Sequence, residues 1–353
     1  MSMARFIVRR ILWMFVVLFV VSLITFVLMH AVPGGPFDRD KPLPQEIIDN
    51  LNARYHLDWP LWKQYAQWVY DVMVPRVTTA PPTGSLLDSY LVEFKVGKVY
   101  FRWMNFGPSY TSKSRTVNDI FRDQLPVSAQ LGVMALLVAM VIGIPLGVVA
   151  ALKQNSLWDY VGMAIAIFGV SVPVVVMGPV LVWIFGVALK WLPPTGWGAK
   201  PPFLLGIFPS ELSFDYFKYA LMPAIALGLG SSAILARLTR ASLLQVIRED
   251  YIRTARAKGL AERLVITRHA LKNAMIPVAT VLGPMFAGLV TGTFVTEQIF
   301  GIPGLGKYFV TSIGNRDYPV IMGTILLYAV VLVLANVVVD IMYAFLDPRI
   351  RLA

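Results

Sequence analysis

Residues 127–151 read VSAQLGVMALLVAMVIGIPLGVVAA, a run without a single Asp, Glu, Lys or Arg. The run is longer than the roughly 20 apolar residues that a helix needs to cross a bilayer core. The whole chain of 353 residues has the same character, since 57% of it is hydrophobic and 14% is charged. A soluble domain carries about 25% charged residues. The sequence therefore predicts an integral membrane protein.

Further apolar windows extend this reading to six spanning helices. They predict helices near 11–31, 127–151, 159–190, 220–238, 277–297 and 321–346. The third window is longer than one span requires, and Pro173 and Pro179 predict a kink inside it. The first follows basic residues as a signal peptide does, but its apolar run is about twice the usual core of roughly 7–15 residues. We therefore expect an all-α membrane fold with a retained first helix.

The basic residues indicate the orientation, because Lys and Arg favour the cytoplasmic side of short loops. They concentrate before the first helix (Arg5, Arg9 and Arg10), in segment 239–276, and in the tail at Arg349 and Arg351. With six crossings, all three segments fall on one side, so both termini are expected in the cytoplasm. The formal net charge of +11 is then an orientation signal. It indicates membrane lipid as a partner and does not indicate nucleic acid.

Residues 32–126 are predicted to lie outside the membrane on the opposite face. The segment is too long for a plain loop and is nearly balanced in charge, so we expect a small folded region. Ile47, Ile48, Leu51 and Tyr55 repeat at helical spacing, and a turn is predicted at 81–84.

The sequence argues against an enzyme or a metal protein. It has no cysteine, and its three histidines (His30, His56 and His269) lie far apart. Ser171, Ser231 and Ser232 offer hydroxyl groups within or near the spans, but no span supplies a histidine base beside them. We therefore expect no catalytic residue, metal site or cofactor in this chain.

Residues 301–308, GIPGLGKY, come within one residue of the phosphate-binding pattern G-x-x-x-x-G-K-[ST]. Tyr308 stands where the pattern needs a small hydroxyl residue, and Pro303 lacks the N–H that such a loop would present. No strand precedes the segment, and the topology places it outside. A turn between the fifth and sixth helices is therefore expected.

Two features inside the predicted spans leave alternatives open. The patterns Gly143-x-x-x-Gly147 and Gly288-x-x-x-Gly292 predict close helix packing, either within the chain or with a partner. Asp340 lies four residues after Asn336 on the last helix. An intramembrane carboxylate can be the coupling group of a stand-alone ion- or proton-coupled carrier. It can equally be a structural clasp held by Asn336.

Segment 239–276 is rich in alanine and arginine, and its apolar residues Leu244, Ile247, Tyr251 and Ala255 repeat at helical spacing. Gly259 then breaks the helical pattern. Such a cationic helix–Gly–helix segment can lie in a groove of another protein, or it can lie on anionic lipid as a basic amphipathic helix.

At this segment the sequence strongly resembles the permease subunits of bacterial peptide-importing ABC transporters, and in particular the first of the two permeases in oligopeptide, dipeptide or nickel importers. The resemblance covers nearly the whole chain except roughly 71–104, which is read as an insertion. The matching stretches are 57–61 (LDWPL), 106–110 (FGPSY), 236–242 (ARLTRAS), 250–259 (DYIRTARAKG), 269–277 (HALKNAMIP), 296–300 (TEQIF), 303–306 (PGLG), 315–319 (NRDYP) and 346–349 (LDPR).

The resemblance implies a type I ABC importer permease fold in a bacterial inner membrane. It divides the chain into a first helix at 1–31, an outside region at 32–126, a permease core at 127–346 and a cytoplasmic tail at 347–353. It also implies a second permease that forms a heterodimer with this chain, two ATPase subunits that bind ATP and Mg, and an extracytoplasmic substrate-binding protein. Peptide is favoured over nickel because the chain lacks a cluster of soft ligands.

Within this resemblance, loop 239–276 docks into a cleft on an ATPase subunit. The expected contact is a segment of ten residues: Asp250, Tyr251, Ile252, Arg253, Thr254, Ala255, Arg256, Ala257, Lys258 and Gly259. Arg253 and Thr254 stand where the general pattern of such loops has Glu and Ala. The alanines allow close docking, and Gly259 allows a sharp bend.

Overall fold

The computed structural model describes residues 3–37, 44–112, 114–201, 203, 206–209 and 213–346. Its helices are α1 Met3–Ala31, α2 Gln45–Arg54, α3 Leu61–Met73, α4 Val117–Leu152, α5 Leu157–Ser171, α6 Val174–Leu181, α7 Phe214–Val246, α8 Asp250–Ala257, α9 Glu262–Leu264, α10 Leu271–Val290, α11 Phe294–Ile299, α12 Gly306–Gly314 and α13 Tyr318–Leu346. Within the described residues, five helices are long and apolar enough to cross a membrane, or six if the bent pair α5 and α6 is one span. The predicted membrane protein of about six helices is confirmed. The predicted tail at 347–353 lies outside the described residues.

The spanning helices extend beyond the apolar windows that predicted them. Helix α4 begins at Val117 because Thr116 and Asp119 form a capping box, in which the Asp119 N–H donates to Thr116 Oγ1 and the Thr116 N–H donates to the Asp119 carboxylate. Helix α7 continues past the apolar window at both ends. A hydropathy window marks the part of a helix that lies in lipid, whereas the backbone hydrogen bonds continue into water.

The prediction of one kinked helix at 159–190 is wrong in detail, because the helix breaks there into two. Helices α5 and α6 meet at 100°, and α6 continues as a π-helical segment over Val182–Ala188. Val172 between them has an extended backbone, with φ −92° and ψ 111°. Pro173 explains this conformation, since a proline disfavours the helical region for the residue before it.

The predicted fifth helix at 277–297 also differs. Helix α9, a π-helical turn at Val265–Ala270 and α10 form one span over Glu262–Val290, which starts earlier and ends earlier than expected. Gly292, with φ +116°, lies beyond the end of this span. The pattern Gly288-x-x-x-Gly292 is therefore not a packing motif inside one helix.

The outside region contains strands that the all-α prediction missed. Strands β1 Arg76–Thr78, β2 Val92–Val96 and β3 Val99–Trp103 form an antiparallel sheet in the order β1-β3-β2. The sheet lies within the predicted insertion at 71–104. Arg102 on β3 is buried and donates to Asp88 at 3.4 Å and to Glu93 at 3.3 Å. Burial opposes ionisation of Asp88, but hydrogen bonds from Thr83 and the Arg102 charge hold the pKa of Asp88 below its ordinary value.

Small residues bring α4, α5 and α7 into backbone contact. A Cβ atom added to Gly143 or Gly147 on α4 would lie 2.5 Å from a carbonyl oxygen of α7, that of Ser232 or Ala236 respectively. On α5, a Cβ on Gly169 would lie 2.7 Å from the Leu229 carbonyl oxygen of α7. The pattern Gly143-x-x-x-Gly147 therefore packs helices within this chain, where no larger side chain fits.

Candidate functional site

The predicted ATPase contact, residues 250–259 and called the coupling segment below, forms helix α8 and the turn that follows it. Ile252 and Ala255 are its buried residues, and the others are exposed, with Tyr251 at 42%. The two buried positions are three apart in sequence, so both lie on one face of the helix. The opposite face is free to contact another molecule.

An apolar cluster beneath the coupling segment holds it to the bundle. Ile252 and Ala255 pack there with residues from α4, α7 and the fifth span: Ala151, Leu243, Val265, Ile266, Ala270 and Ala274. Full burial of an isoleucine side chain stabilises the folded state by about 1.5–3 kcal/mol of free energy relative to leaving the side chain in water. Helix α8 therefore packs on its own protein, which argues against the alternative that its apolar face lies in lipid.

Two polar contacts tie the coupling segment to the fifth span. Arg256 donates from Nε and Nη2 to the two carboxylate oxygens of Glu262, at 3.1 and 2.7 Å. This hydrogen-bonded carboxylate raises the pKa of Arg256 above its ordinary value. Asn273 Nδ2 donates to the Tyr251 hydroxyl at 2.7 Å. Because Arg256 and Glu262 are both well exposed, their pair fixes geometry more than it adds stability.

Gly259 ends the coupling segment in the left-handed region, with φ +75°. Its N–H donates to the Arg256 carbonyl oxygen at 2.9 Å. A Cβ atom there would meet nothing within 4 Å, so the backbone conformation, and not lack of space, favours glycine.

The coupling segment connects two of the longest helices of the bundle. Helix α7 ends at Val246, four residues before α8 begins, and the fifth span starts at Glu262. Helix α7 has 33 residues and is about 50 Å long, enough to cross the membrane with turns to spare. Helix α8 is therefore joined by short segments to two helices that are long and apolar enough to cross a bilayer.

On the other side of the bundle, a buried carboxylate fills the loop that resembles a phosphate-binding pattern. Glu297 accepts hydrogen bonds from Ser128 Oγ at 2.7 Å, the Gly306 N–H at 2.8 Å and the Thr293 N–H at 3.2 Å. A Cβ on Gly304 would overlap the Glu297 carboxyl group, which explains that glycine. The N–H groups of this loop thus hold a carboxylate of the chain itself.

Glu297 lies outside the spanning helices and is 2% exposed. Burial raises the pKa of Glu297 above its ordinary value, and the hydrogen bonds from Ser128 and the loop N–H groups offset part of that rise. Glu297 is not among the site residues predicted from the sequence. The sequence feature that could have indicated this site is the stretch Gly304-Leu305-Gly306, whose glycines leave room for the side chain of another residue.

A second buried carboxylate holds the segment before α4. Asp317, which is 3% exposed, accepts from Ser109 Oγ at 2.5 Å and from the N–H groups of Tyr110 and Thr111 at 3.0 and 3.2 Å. Burial first, and then the Asp317 charge, raise the pKa of Tyr110 above its ordinary value. Two stretches on which the resemblance rests, 106–110 and 315–319, therefore contact each other.

The intramembrane carboxylate Asp340 pairs with Arg10 of α1. Asn336, its expected partner, instead lies against α10, where a Cβ on Gly283 would be 2.9 Å from Asn336 Oδ1. The ion pair joins α1 to α13. Asp340 is thus placed as a clasp between helices, with a different partner from the one expected.

The serine and histidine candidates for catalysis, Ser232 and His30, bond to backbone carbonyl groups of their own helices. Ser232 Oγ donates to the Leu229 carbonyl oxygen at 2.7 Å, and His30 Nδ1 lies 2.8 Å from the Phe26 carbonyl oxygen. Among the residues that the structure describes, no group of three or more His, Cys, Asp and Glu could hold a metal ion.

Two family descriptions match nearly the whole chain. Residues 143–352 match "Binding-protein-dependent transport system inner membrane component", and residues 3–132 match "Binding-prot-dependent transport system membrane comp, N-term". A chain from a structure described as inward facing conformations of the MetNI methionine ABC transporter is similar over 64% of this chain and 94% of its own, with 16% identity and a TM-score of 0.48.

Two curated relatives match over their full length. The dipeptide transport system permease protein DppB of Bacillus subtilis (strain 168) is 39% identical over 350 residues, which cover 99% of each chain. The oligopeptide transport system permease protein OppB of Salmonella typhimurium is 40% identical over 349 residues, 99% of this chain and 100% of that one. This chain therefore belongs to the family of binding-protein-dependent transport system inner membrane components, and it is a multi-pass membrane permease.

Proposed function

We propose that this chain is the permease subunit of an ATP-driven importer of peptides and forms half of its translocation pathway. The observation that carries peptide as the substrate class is the full-length similarity to a dipeptide and an oligopeptide permease. Small peptides enter a bacterial cell through the inner membrane, where a permease of this family resides.

The coupling segment is the proposed contact with a separate ATPase subunit. Its inner face is anchored on the apolar cluster while Tyr251, Arg253 and Thr254 are exposed. A helix that is anchored on one face and exposed on the other can be displaced by a partner protein without unfolding. ATP and Mg would be bound by the two ATPase subunits, and this chain would transmit force without a catalytic residue of its own.

The remaining partners follow from the same assignment. A second, homologous permease would complete the pathway, and an extracytoplasmic binding protein would deliver the peptide to the outside region at 32–126. Both termini and the coupling segment would lie in the cytoplasm, on the side where the basic residues concentrate. The permease core at 127–346 would supply the helices that rock between inward- and outward-facing states.

The alternative of a stand-alone ion- or proton-coupled carrier is wrong, because the chain belongs to a binding-protein-dependent transport family. The residue proposed as its coupling group, Asp340, is engaged by Arg10. No second function is proposed.

The test is to purify the tagged chain from its native membranes in mild detergent and to identify the proteins that accompany it. We expect a second permease and ATPase subunits. Recovery of the chain alone, under conditions that preserve other membrane complexes, would contradict the proposal.

The substrate class needs a second measurement. The purified complex, reconstituted in proteoliposomes with its binding protein, should take up radiolabelled di- or oligopeptides only when ATP is supplied on the cytoplasmic side. Uptake that proceeds without ATP would refute the assignment, and ATP-dependent uptake of nickel but not peptide would refute the substrate class.

A further inference from the structure

Asp159 and Arg240 form an ion pair between α5 and α7, close to the coupling segment. Arg240 Nε donates to Asp159 Oδ1 and Nη2 donates to Oδ2, both at 2.7 Å. Asp159 is only 3% exposed, and its carboxylate also accepts from the Asn155 N–H at 3.0 Å. Two parallel hydrogen bonds between a guanidinium group and a carboxylate fix orientation as well as distance.

Arg240 is linked to the coupling segment by a continuous hydrogen-bonded backbone. Helix α7 runs on from Arg240 to Val246, and the turn after it is closed by the Ile247 N–H donating to the Leu243 carbonyl oxygen at 3.0 Å. Leu243 also belongs to the apolar cluster that buries Ile252 of α8. Helix α8 is therefore joined to Arg240 by the last turns of α7 and a hydrogen-bonded turn.

The remaining contact between α5 and α7 is apolar. Ala166 of α5 belongs to a cluster with Ala233 and Ala236 of α7, and Gly169 lies against Leu229. Apolar contacts hold surfaces together but have no direction, so they resist sliding weakly. Among the described residues of α4, α5, α6 and α7, the Asp159–Arg240 pair is the one salt bridge between different helices.

Helix α5 leads on to the extracytoplasmic loops. It bends by 100° at Pro173 into α6, and a Cβ on Gly178 of α6 would lie 3.0 Å from Ile299 Cγ2 of α11. Helix α11 also carries the buried Glu297. Helix α5 is thus connected through α6 to α11.

We propose that Asp159 and Arg240 are positioning residues for ATP-driven transport, because their pair transfers the displacement of the coupling segment from α7 to α5 and α6. The inference rests on the proposed function. It goes further by identifying the Asp159–Arg240 ion pair as the contact through which force from the ATPase passes from α7 to α5.

The experiment compares the complete transporter, reconstituted in proteoliposomes with its binding protein, in five forms: wild type, D159N, R240Q, R240K and the double variant D159N/R240Q. The readout is peptide taken up per ATP hydrolysed, normalised to assembled complex. We expect D159N and R240Q to assemble and hydrolyse ATP, and to import roughly 2- to 30-fold less peptide per ATP. R240K should also lose coupling, because lysine keeps the charge but cannot make the two-point contact.

The double variant tests whether the two residues act as one unit. If they do, D159N/R240Q loses no more coupling than either single variant. The matched control is D215N, which removes an exposed carboxylate that pairs with Lys218 on the same helix α7. D215N should keep the wild-type ratio of peptide to ATP.

A wild-type ratio in D159N would overturn the proposal. So would a smaller yield of assembled D159N complex whose ratio per complex is unchanged, because a purely structural role predicts that result. If D159N cannot be purified, the same comparison is made with R240K. A wild-type transporter without ATP-dependent peptide uptake would instead refute the proposed function, before any variant is compared.

Discussion

Ser128 Oγ donates to Glu297 Oε1 at 2.7 Å and accepts the Leu305 N–H at 2.7 Å, so one hydroxyl group joins α4 both to α11 and to the loop that follows α11. Ser128 is fully buried, and Glu297 lies 169 residues further along the chain. The segment after the fifth span is therefore held to α4 by a network of hydrogen bonds among the Ser128 hydroxyl, the Glu297 carboxyl group and the Leu305 N–H.

The first prediction removes that hydroxyl group. S128A leaves the Leu305 N–H without an acceptor and Glu297 with one donor fewer, so we expect a loss of about 1–3 kcal/mol in stability. Thermal unfolding of the purified complex measures the change. The control T311A removes an exposed hydroxyl bonded to the Lys307 carbonyl oxygen and should be nearly neutral. Equal melting temperatures for S128A and T311A would contradict the role of the network.

The second prediction concerns pH. Burial raises the pKa of Glu297 above the ordinary value of 4.5, so the folded state holds this proton more tightly than the unfolded state does. The contribution of Glu297 to stability is then fully present below pH 4.5 and is lost as the pH rises through the raised pKa. E297Q cannot titrate and should lack this component. The measurement is the melting temperature of both proteins at several pH values from 4 upward; parallel curves would refute the shift.

The third prediction contrasts two helical glycines. In G147A the new methyl group meets the Ala236 carbonyl oxygen of α7, and we expect a loss of about 1–3 kcal/mol from overpacking. In G288A the new methyl group meets nothing within 4 Å, so the variant should gain roughly 0.5–1 kcal/mol of helix propensity. The two proteins should therefore shift in opposite directions in a thermal melt. A shared direction would show that the packing of α4 on α7 does not decide the outcome.

The fourth prediction tests the clasp between α1 and α13. D340N removes the charge that pairs with Arg10. Because Arg10 is about half exposed, we expect a modest cost of about 1 kcal/mol or less in stability, with ATP-dependent peptide uptake retained. R10Q breaks the same pair from the other side and should behave alike. Loss of uptake in a normally assembled D340N complex would instead give Asp340 a direct role in transport.

The fifth prediction uses the left-handed turn at Gly259. Asparagine tolerates φ +75°, alanine does so at a cost of about 1 kcal/mol, and proline cannot adopt it. Transport should therefore fall in the order G259N, G259A, G259P, with G259P inserted in the membrane but inactive. Proline also removes the N–H that bonds to Arg256. Normal uptake by G259P would refute the assignment of the coupling segment.

The spans were predictable because lipid selects each of them locally. The windows at 11–31 and 321–346 lie within α1 and α13. A run of apolar side chains was sufficient to predict them, because an apolar segment that crosses a bilayer must satisfy its backbone hydrogen bonds as a helix. The break after Val172 was harder to predict. A proline can kink a membrane helix or end it, and packing partners decide which; here α6 turns away to contact α11.

The polar contacts between distant parts of the chain were not predictable, because sequence spacing does not reveal which residues pair. Asp159 meets Arg240 across 81 positions, and Asp317 meets Ser109 across 208. The sequence showed these residue types but not their partners. The sheet in the outside region was also missed, because its strands are three and five residues long and too short for a clear alternation. The docking of residues 250–259 on an ATPase stays a prediction.

The loop from 301 to 308 has one more consequence for a peptide importer. Backbone N–H groups gathered at a helix start attract any anion, and every peptide ends in a carboxylate. The N–H groups of Gly306 and Thr293 are already bonded to Glu297. The protein thus supplies its own acid to these N–H groups, and they are not available to bind the terminal carboxylate of a peptide.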